Sequence, residues 1–352
     1  MPETTEIIRI SDPAAEASEI ERAGQILREG GLVAFPTETV YGLGGNALLP
    51  ESSRRIYAAK GRPSDNPLIV HIAETEELFS LAAEVPQLAL TLAGAFWPGP
   101  MTLILKKSRA VPGQTTGGLD TVAVRLPSHP VARALIKAAG VPIAAPSANS
   151  SGRPSPTTAE HVVEDLFGKI DMIIDGGESD IGLESTIIDL TGEKPELLRP
   201  GFISEQAVTE VIGSVEKDPS ILAVPAEGTA PRAPGMKYRH YAPAADMYLV
   251  SGEKEKVREK IRLLVSEAGS RGEKPAVICA SQDEGCFEGA AVFSVGSAED
   301  EREIAHRLFS VLRETDKAGV DIIFAEMLGG EQLDLAIKNR MLKAAGYKVI
   351  EV

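Results

Sequence analysis

A lysine and an arginine two residues apart, ahead of a proline-bounded turn, can hold a phosphate or a carboxylate, and residues 60–72, KGRPSDNPLIVHI, have that layout. Lys60 and Arg62 precede Pro63, Ser64, Asp65, Asn66 and Pro67, which feed the apolar run Leu68 to Ile72. Proline fixes φ and pushes the residue before it out of the helical region, so Arg62 and Asn66 are held extended. A pair of surface cations is ordinarily solvated and worth little. The rigid turn favours an anion loop instead. Asn66 also suits a turn for local reasons. His71, inside an apolar strand, reads either as a hydrogen-bonded core histidine or as a ligand-facing group, and spacing leaves both open.

Five other runs could contribute. APSANSSGRPSPTT (145–158) follows a strand and precedes a helix capped near Thr157 or Thr158. Its small residues let backbone N–H groups approach an anion, and its Ser and Asn side chains add neutral hydrogen bonds, as in a nucleotide cradle. An ordinary Ser/Gly/Pro loop has the same composition. Nothing matches G-x-x-x-x-G-K-[ST], so an ATP site here would not be a P-loop. PTETVYGLGG (36–45) offers the hydroxyls of Thr37, Thr39 and Tyr41. In TVAVR (121–125), strand alternation puts Thr121, Ala123 and Arg125 on one face, where a carboxylate ligand is one partner open to Arg125. GLESTIIDL (182–190) carries Ser185 and Thr186 into a strand, and LLRPG sets Arg199 before a proline. PGMKYRHYAP (234–243) is dense in Lys237, Tyr238, Arg239, His240 and Tyr241, more than a connecting segment needs, and reads as a lid over an active site.

The elements that must position these groups alternate between helix and strand. Ser11 or Asp12 as cap, Pro13 in the first turn, apolar Ile20, Ala23, Ile26 and Leu27, and Gly30-Gly31 as the stop predict the first helix. The run 32–35 reads as a strand, PTETVYGLGG as a loop, and 50–59 as a helix. Strands are expected at 68–72, 101–105, 122–126, 141–145, 172–174 and 185–190, with helices at 74–83, 86–95, 129–139, 157–166 and 204–213. The alternation implies α/β architecture with a twisted mixed sheet, because some strands follow one another without a helix between. Residues 1–213 form this expected domain. Residues 214–245, with Pro219, Pro225, Pro231, Pro234 and Pro243, read as linker and lid. Residues 246–352 then alternate again, with strands at 247–250, 276–279, 291–294, 322–325 and 348–350 and helices at 253–268, 298–317 and 332–344. They predict a smaller, parallel, Rossmann-like domain that has no G-x-G-x-x-G.

Composition bounds the function. With 352 residues, 43% apolar and 25% charged, the chain is globular and long enough for two domains. The formal charge of −15 argues against a protein that coats nucleic acid. Residues 1–215 carry 28 acidic against 17 basic side chains, yet 52–64 hold Arg54, Arg55, Lys60 and Arg62 and no acid. Positive charge is concentrated at the anion loop. Cys279 and Cys286 fit neither a disulfide framework nor a zinc site, so no metal site is expected. No apolar stretch approaches a membrane span, and MPETTEIIRISDP lacks the layout of a signal peptide, so a cytoplasmic protein is expected.

Taken in order, PTETVYGLG, KGRPSDNPL, SANSSGRPS, GLESTIIDL, LLRPG and PGMKYRHYAP closely resemble the threonylcarbamoyl-AMP synthases, the YrdC-like family, in the long form with an extra C-terminal domain. The resemblance implies an enzyme that joins L-threonine, bicarbonate or CO2, and the AMP part of ATP, releasing pyrophosphate. Its product would pass to a threonylcarbamoyl-transferase complex that modifies tRNA beside the anticodon. Carried onto this chain, the threonine pocket would use Thr39, His71, Arg125, Ala145 through its backbone, and Ser185. The nucleotide would meet Lys60, Arg62, Asn66, Thr121, Ser147, Ser155 and Arg199, with Tyr238 closing over it. Lys60 and Arg62 would stabilise the leaving pyrophosphate, and Mg2+ would arrive on phosphate oxygens and water. The competing reading is a double-stranded RNA or tRNA binder, since YrdC-like domains have a concave positive surface; the net charge weakens it to at most weak RNA binding. Hydrogenase maturation factors share the domain type but carry cysteine-rich zinc modules that this chain lacks.

Overall fold

The computed structural model describes residues 4–223, 231–236, 240–329 and 333–352. The backbone divides into two compact units, Met1–Ser151 with Ser155–Lys237, and Gly152–Pro154 with Tyr238–Val352. Among the described residues no helix is long and apolar enough to cross a membrane.

The first unit is built on one mixed sheet. Its strands are β1 Glu6–Arg9, β2 Val33–Phe35, β3 Gly42–Asn46, β4 Ile69–His71, β5 Met101–Lys106, β6 Thr121–Arg125, β7 Ile143–Ala144, β8 Met172–Asp175, β9 Thr186–Asp189, β10 Glu196–Arg199 and β11 Glu216–Lys217. They lie in the order β1-β8-β2-β3-β7-β4-β6-β5-β9-β10-β11. The helices are α1 Ala17–Arg28, α2 Pro50–Lys60, α3 Leu78–Leu81, α4 Gln87–Phe96, α5 Pro130–Ala139, α6 Ala159–Leu166 and α7 Glu205–Ile212. The apolar faces of α1 (Ile20, Ala23, Leu27) and α5 (Val131, Leu135, Ile136) close over Val33, Phe35, Ile143, Met172 and Ile174. Thr158 caps α6 and Ser204 caps α7, each accepting a first-turn N–H.

Three local expectations are corrected. Residues 74–83, expected as one helix, form a 3-10 turn at Thr75–Glu77 and the single-turn helix α3. The first helix begins at Ala17, after Glu16, rather than at a Ser11 or Asp12 cap. The Glu16 carboxylate turns back to accept the N–H groups of Ser11 (2.8 Å) and Asp12 (3.0 Å), which makes 11–16 a closed turn. The second half of PTETVYGLGG is strand β3, antiparallel to β2, and not loop. Glycine is poor in strands in general, but here the missing side chains are the point. A Cβ on Gly44 would lie 2.9 Å from both Phe35 Cε1 and Ile143 Cγ2, because those side chains lean across the glycine strand. Gly44→Ala is therefore expected to cost about 1–3 kcal/mol by overpacking. Gly94→Ala, on α4 with open space around it, should be neutral or slightly stabilising; urea melts of both variants check the contrast.

The second unit has a five-stranded sheet, β12 Asp246–Ser251, β13 Pro275–Cys279, β14 Ala291–Ser294, β15 Ile322–Glu326 and β16 Val349–Glu351, with helices α8 Lys254–Ser270, α9 Glu301–Ala318 and α10 Asp334–Ala344. All pairings are parallel, in the order β14-β13-β15-β12-β16, with β15 at the centre. Val257, Ile261 and Val265 of α8 pack on Val250, Val277 and Phe324. The short segment Gly152–Pro154 belongs here because Ala242 N donates to Gly152 O (2.9 Å) and buried Arg313 donates to Pro154 O (2.7 Å).

Candidate active site

The candidate site grows from one face of β6. Arg125 stands beside His71 in parallel register on β4 and opposite Thr102 on β5, so all three side chains share a face. Arg125 Nη2 meets Glu38 Oε1 at 2.6 Å, Nη1 donates to Thr39 Oγ1 at 2.9 Å, and Nε reaches Gly99 O at 3.4 Å. A guanidinium has five N–H donors, so two remain for another acceptor. The pair is buried, with 5% and 6% of the side chains exposed. Burial pushes the Glu38 carboxyl up, but the charge and hydrogen bond of Arg125 outweigh it and hold the group below the usual carboxylate range. Glu38 Oε2 has no hydrogen-bond partner.

The same face continues outward along β5, β9 and β10. Thr102 Oγ1 and Ser185 Oγ lie 2.7 Å apart, and Arg199 donates to Ser185 O (3.0 Å), Ser185 Oγ (3.1 Å) and Pro234 O (3.2 Å). That last bond ties the linker to the sheet. Ala233 is buried with Ile69, Ile104, Ala123, Ile187 and Leu198, and Met236 packs on them. Arg232 anchors the segment on Glu196 (2.7 Å) and Asp218 (2.5 Å). Residues 231–236, which include the first three residues of the proposed lid, thus lie on the sheet face. Tyr238, assigned to the nucleotide from the sequence, lies outside the described residues, as do Lys237 and Arg239. Thr121 opens β6 on this face, two pleats from Arg125.

The cationic loop is organised by its own oxygens. Lys60 ends α2, ahead of Gly61 in the left-handed region (φ 61°). Its Nζ donates to Ser147 O at 2.5 Å, to Asn149 O, and to Asn149 Oδ1 at 3.2 Å, while Lys60 O accepts from Ser151 N at 2.8 Å. Both the side chain and the main chain of Lys60 therefore hold the SANSSG loop. Arg62 closes its own turn, with Nε on Asn66 O (3.2 Å) and Nη2 on Asn66 Oδ1 (2.6 Å) and Pro67 O (3.0 Å). Ala145 N donates to Ile69 O at 2.8 Å, so the loop leaves the sheet beside the run from Asn66. Ser147 Oγ donates to Asn149 Oδ1 (2.5 Å), and Ser155 Oγ to Glu184 Oε1 (2.6 Å), next to Ser185.

His71 is a neutral member of this face. Burial, followed by the positive Arg125, lowers its pKa from 6.5 to about 3. Its Nδ1 lies 3.2 Å from Ile69 O, and Phe35 meets the ring edge-on at 6.4 Å. The unfolded chain takes up a proton below about pH 6.5 that the folded chain refuses until about pH 3. Stability is thus fully present above 6.5 and lost as pH falls through that window. His71→Asn is expected to flatten the fall in melting temperature between pH 6.5 and 4; an unchanged slope would show that His71 is not the group responsible.

Sequence reasoning singled out Thr39 and Arg125 but missed Glu38, the carboxylate that pairs with Arg125 in the structure. The signal was present: Glu38 is the only charged residue between Glu29 and Glu51. Thr102, Asn149 and Glu184 were also missed. Each matters through a partner 29 or more residues away, which local spacing does not reveal.

Comparison with known proteins divides the chain near residue 202, ahead of the unit boundary at Lys237. Residues 25–201 match the family of Sua5, YciO and YrdC, described as Telomere recombination. Residues 203–346 match the family described as Threonylcarbamoyl-AMP synthase, C-terminal domain. The Threonylcarbamoyl-AMP synthase of Pyrococcus abyssi is 52% identical over 337 residues, covering 96% of this chain and 97% of the relative. That of Bacillus subtilis is 44% identical over 349 residues, covering 99% and 97%. A crystal structure of P. abyssi Sua5 complexed with L-threonine superposes with a TM-score of 0.92 at 50% identity, covering 99% of each chain.

Proposed function

The chain belongs to the threonylcarbamoyl-AMP synthase family, with a YrdC-like domain and a Sua5 C-terminal domain, and from that premise we propose how its residues divide the work. L-Threonine, bicarbonate or CO2, and ATP are the substrates of this reading; threonylcarbamoyl-AMP and pyrophosphate are the products. The adenylate serves the making of threonylcarbamoyladenosine next to the anticodon of tRNA.

The observation that carries this division is the buried Arg125–Glu38 pair. It combines a guanidinium with two N–H donors to spare and a carboxylate oxygen with no partner. An amino acid presents the complement, a carboxylate and an amine a few bonds apart. Arg125 takes the carboxylate and Glu38 Oε2 accepts an amine N–H, while Thr39, Ser185, neutral His71 and the Ala145 backbone frame the hydroxyl and side chain. Because its pKa is held below the ordinary range, chiefly by Arg125, the Glu38 carboxylate is a weak base and orients the amine rather than taking its proton. The oriented amine, as free base, adds to CO2 and gives up one proton to solvent; a carbamate oxygen then attacks the α-phosphorus in line as the α–β P–O bond breaks and pyrophosphate leaves.

On the nucleotide side, Lys60 holds the SANSSG loop in place with a buried positive charge beneath it, and Arg62 with Asn66 fixes the adjoining turn. Ser147, Ser155, Thr121 and Arg199 supply the remaining hydrogen bonds, and Tyr238 remains the residue assigned to close over the nucleotide. The donors near the proposed phosphates are mostly neutral oxygens, and among the described residues no cluster of three or more His, Cys, Asp or Glu forms a metal cage. Mg2+ would be held by phosphate oxygens and water and would offset phosphate charge, with Ser147 and Ser155 as the neighbouring hydroxyls.

The test is pyrophosphate release from ATP with threonine and bicarbonate each present or omitted. Release that requires both is expected, with a product of the mass of threonylcarbamoyl-AMP. Release that ignores threonine would overturn the reading. Glu38→Gln keeps the shape but weakens the acceptor, and should raise KM for threonine about tenfold or more with little change in KM for ATP.

A further inference from the structure

The second unit contains a cavity of about 370 Å³ at the carboxyl ends of β12, β13 and β15, and none of its lining residues takes part in the synthesis described above. Its size is near the lower end of the roughly 300–1,000 Å³ typical of small-molecule sites, and open parallel sheets bind ligands at this end of their strands.

The lining has two chemically distinct sides. On one, β12 ends at Ser251 and turns through Gly252 into the seventeen-residue helix α8. Gly252 has φ 148°, and a Cβ there would come within 2.3 Å of Val352 O, so the turn requires glycine. Glu253 makes no side-chain cap, which leaves the positive helix end uncapped from that side, and Lys254 and Lys338 line the cavity beside it. Lys254 Nζ is 3.4 Å from Asp283 Oδ2, but Asp283 is also in contact with Arg258. Asp283 also lines the cavity, so two cations, Lys254 and Arg258, stand against its one carboxylate there, although Arg258 is also 3.7 Å from Glu255.

On the other side stands Glu326, only 6% exposed. Its Oε2 accepts from Ala280 N at 3.1 Å, whereas its Oε1 has no partner. A buried acceptor left in that condition costs free energy unless something donates to it. Burial raises the Glu326 carboxyl to about 7, so near neutrality it suits a neutral donor such as a hydroxyl better than a cation.

We propose that this cavity binds a phosphomonoester on a hydroxylated skeleton, a sugar phosphate or a mononucleotide, with phosphate at Lys254 and the start of α8 and a hydroxyl donating to Glu326. Calorimetric titration of the full chain with ribose 5-phosphate, AMP, inorganic phosphate and ribose tests it. One ribose 5-phosphate per chain, weakened at least tenfold in Lys254→Met and in Glu326→Leu, is the result expected for a sugar phosphate. A drop in AMP stoichiometry from two sites to one in Lys254→Met, without such an effect on ribose 5-phosphate, assigns the mononucleotide. Lys254 is half-exposed, so its variant should fold and keep wild-type pyrophosphate release even if the Glu326 variant does not fold. Equal binding of both esters by wild type and Lys254→Met, no binding of either, or inorganic phosphate binding as tightly as both would overturn the proposal.

Discussion

Replacing Arg125 with methionine is expected to abolish threonine-dependent pyrophosphate release and to destabilise the first unit by about 3–5 kcal/mol, the usual cost of leaving one partner of a buried ion pair uncompensated. The stranded partner is Glu38, whose Oε1 would lose its guanidinium while its Oε2 is already without a donor. Its carboxyl would then shift upward, because burial pushes it that way and the charge and hydrogen bond of Arg125 are the largest influences opposing it, ahead of the backbone N–H groups of Glu38 and Ser128. The two consequences can be separated. In Arg125→Met with Glu38→Leu, both charges are gone and apolar groups fill similar space, so stability should return to within about 1–2 kcal/mol of wild type. Threonine binding should not return. Loss of a charge-paired carboxylate contact costs roughly 2–5 kcal/mol, or about thirtyfold to several thousandfold in affinity. Denaturant melts beside threonine titrations of the single and double variants would distinguish a binding role from a purely architectural one.

Lys60→Met is expected to lower pyrophosphate release by about a hundredfold or more. Methionine matches the length of the stem but removes the ammonium that Ser147 O, Asn149 O and Asn149 Oδ1 all accept from. Asn149 Oδ1 keeps the Ser147 hydroxyl as donor, but each of the two carbonyl oxygens that loses the ammonium costs about 1–3 kcal/mol, and the loop is expected to move in order to recover bonds elsewhere. A displacement on the order of 1 Å in a group that positions a reacting phosphate is enough for a loss of about 10²-fold. Lys60→Arg should not rescue, because a planar fork cannot direct its protons to three oxygens arranged around a point charge. The kinetic signature is a lower kcat with a raised KM for ATP and a nearly unchanged KM for threonine. A rise confined to the threonine KM would place Lys60 on the wrong substrate.

These cases show what could be read along the chain and what could not. Helices α2, α5, α6 and α7 follow from local signals: Pro50 and Pro130 in first turns, Gly61 and Gly140 in the left-handed region after the last, and Thr158 and Ser204 as caps. The face of β6 was legible because strand alternation alone puts Thr121 and Arg125 together. Strand β3 was not, since its function is to lack side chains so that Phe35 and Ile143 can meet across it, and strand propensity is read from side chains. Strand β1 is a short, mostly exposed edge that, among the described residues, pairs with β8, some 160 residues later. Arg125 was recognised as a cation seeking a partner, but Glu38 lies 87 residues away and meets it only after the sheet forms. Lys60 was read as a phosphate ligand because its type and its proline-rich surroundings favour that role; that it also fastens the loop 87 residues on depends on the tertiary path.

The central claim is that Arg125 and Glu38 form the amino-acid half of a two-substrate site, apart from the groups that hold the nucleotide. Calorimetry of the refolded Arg125→Met, Glu38→Leu double variant tests it most directly, with L-threonine and ATP titrated separately. The account predicts that ATP binds within about threefold of wild type while threonine binding falls at least thirtyfold. A double variant that binds threonine as wild type does would contradict it.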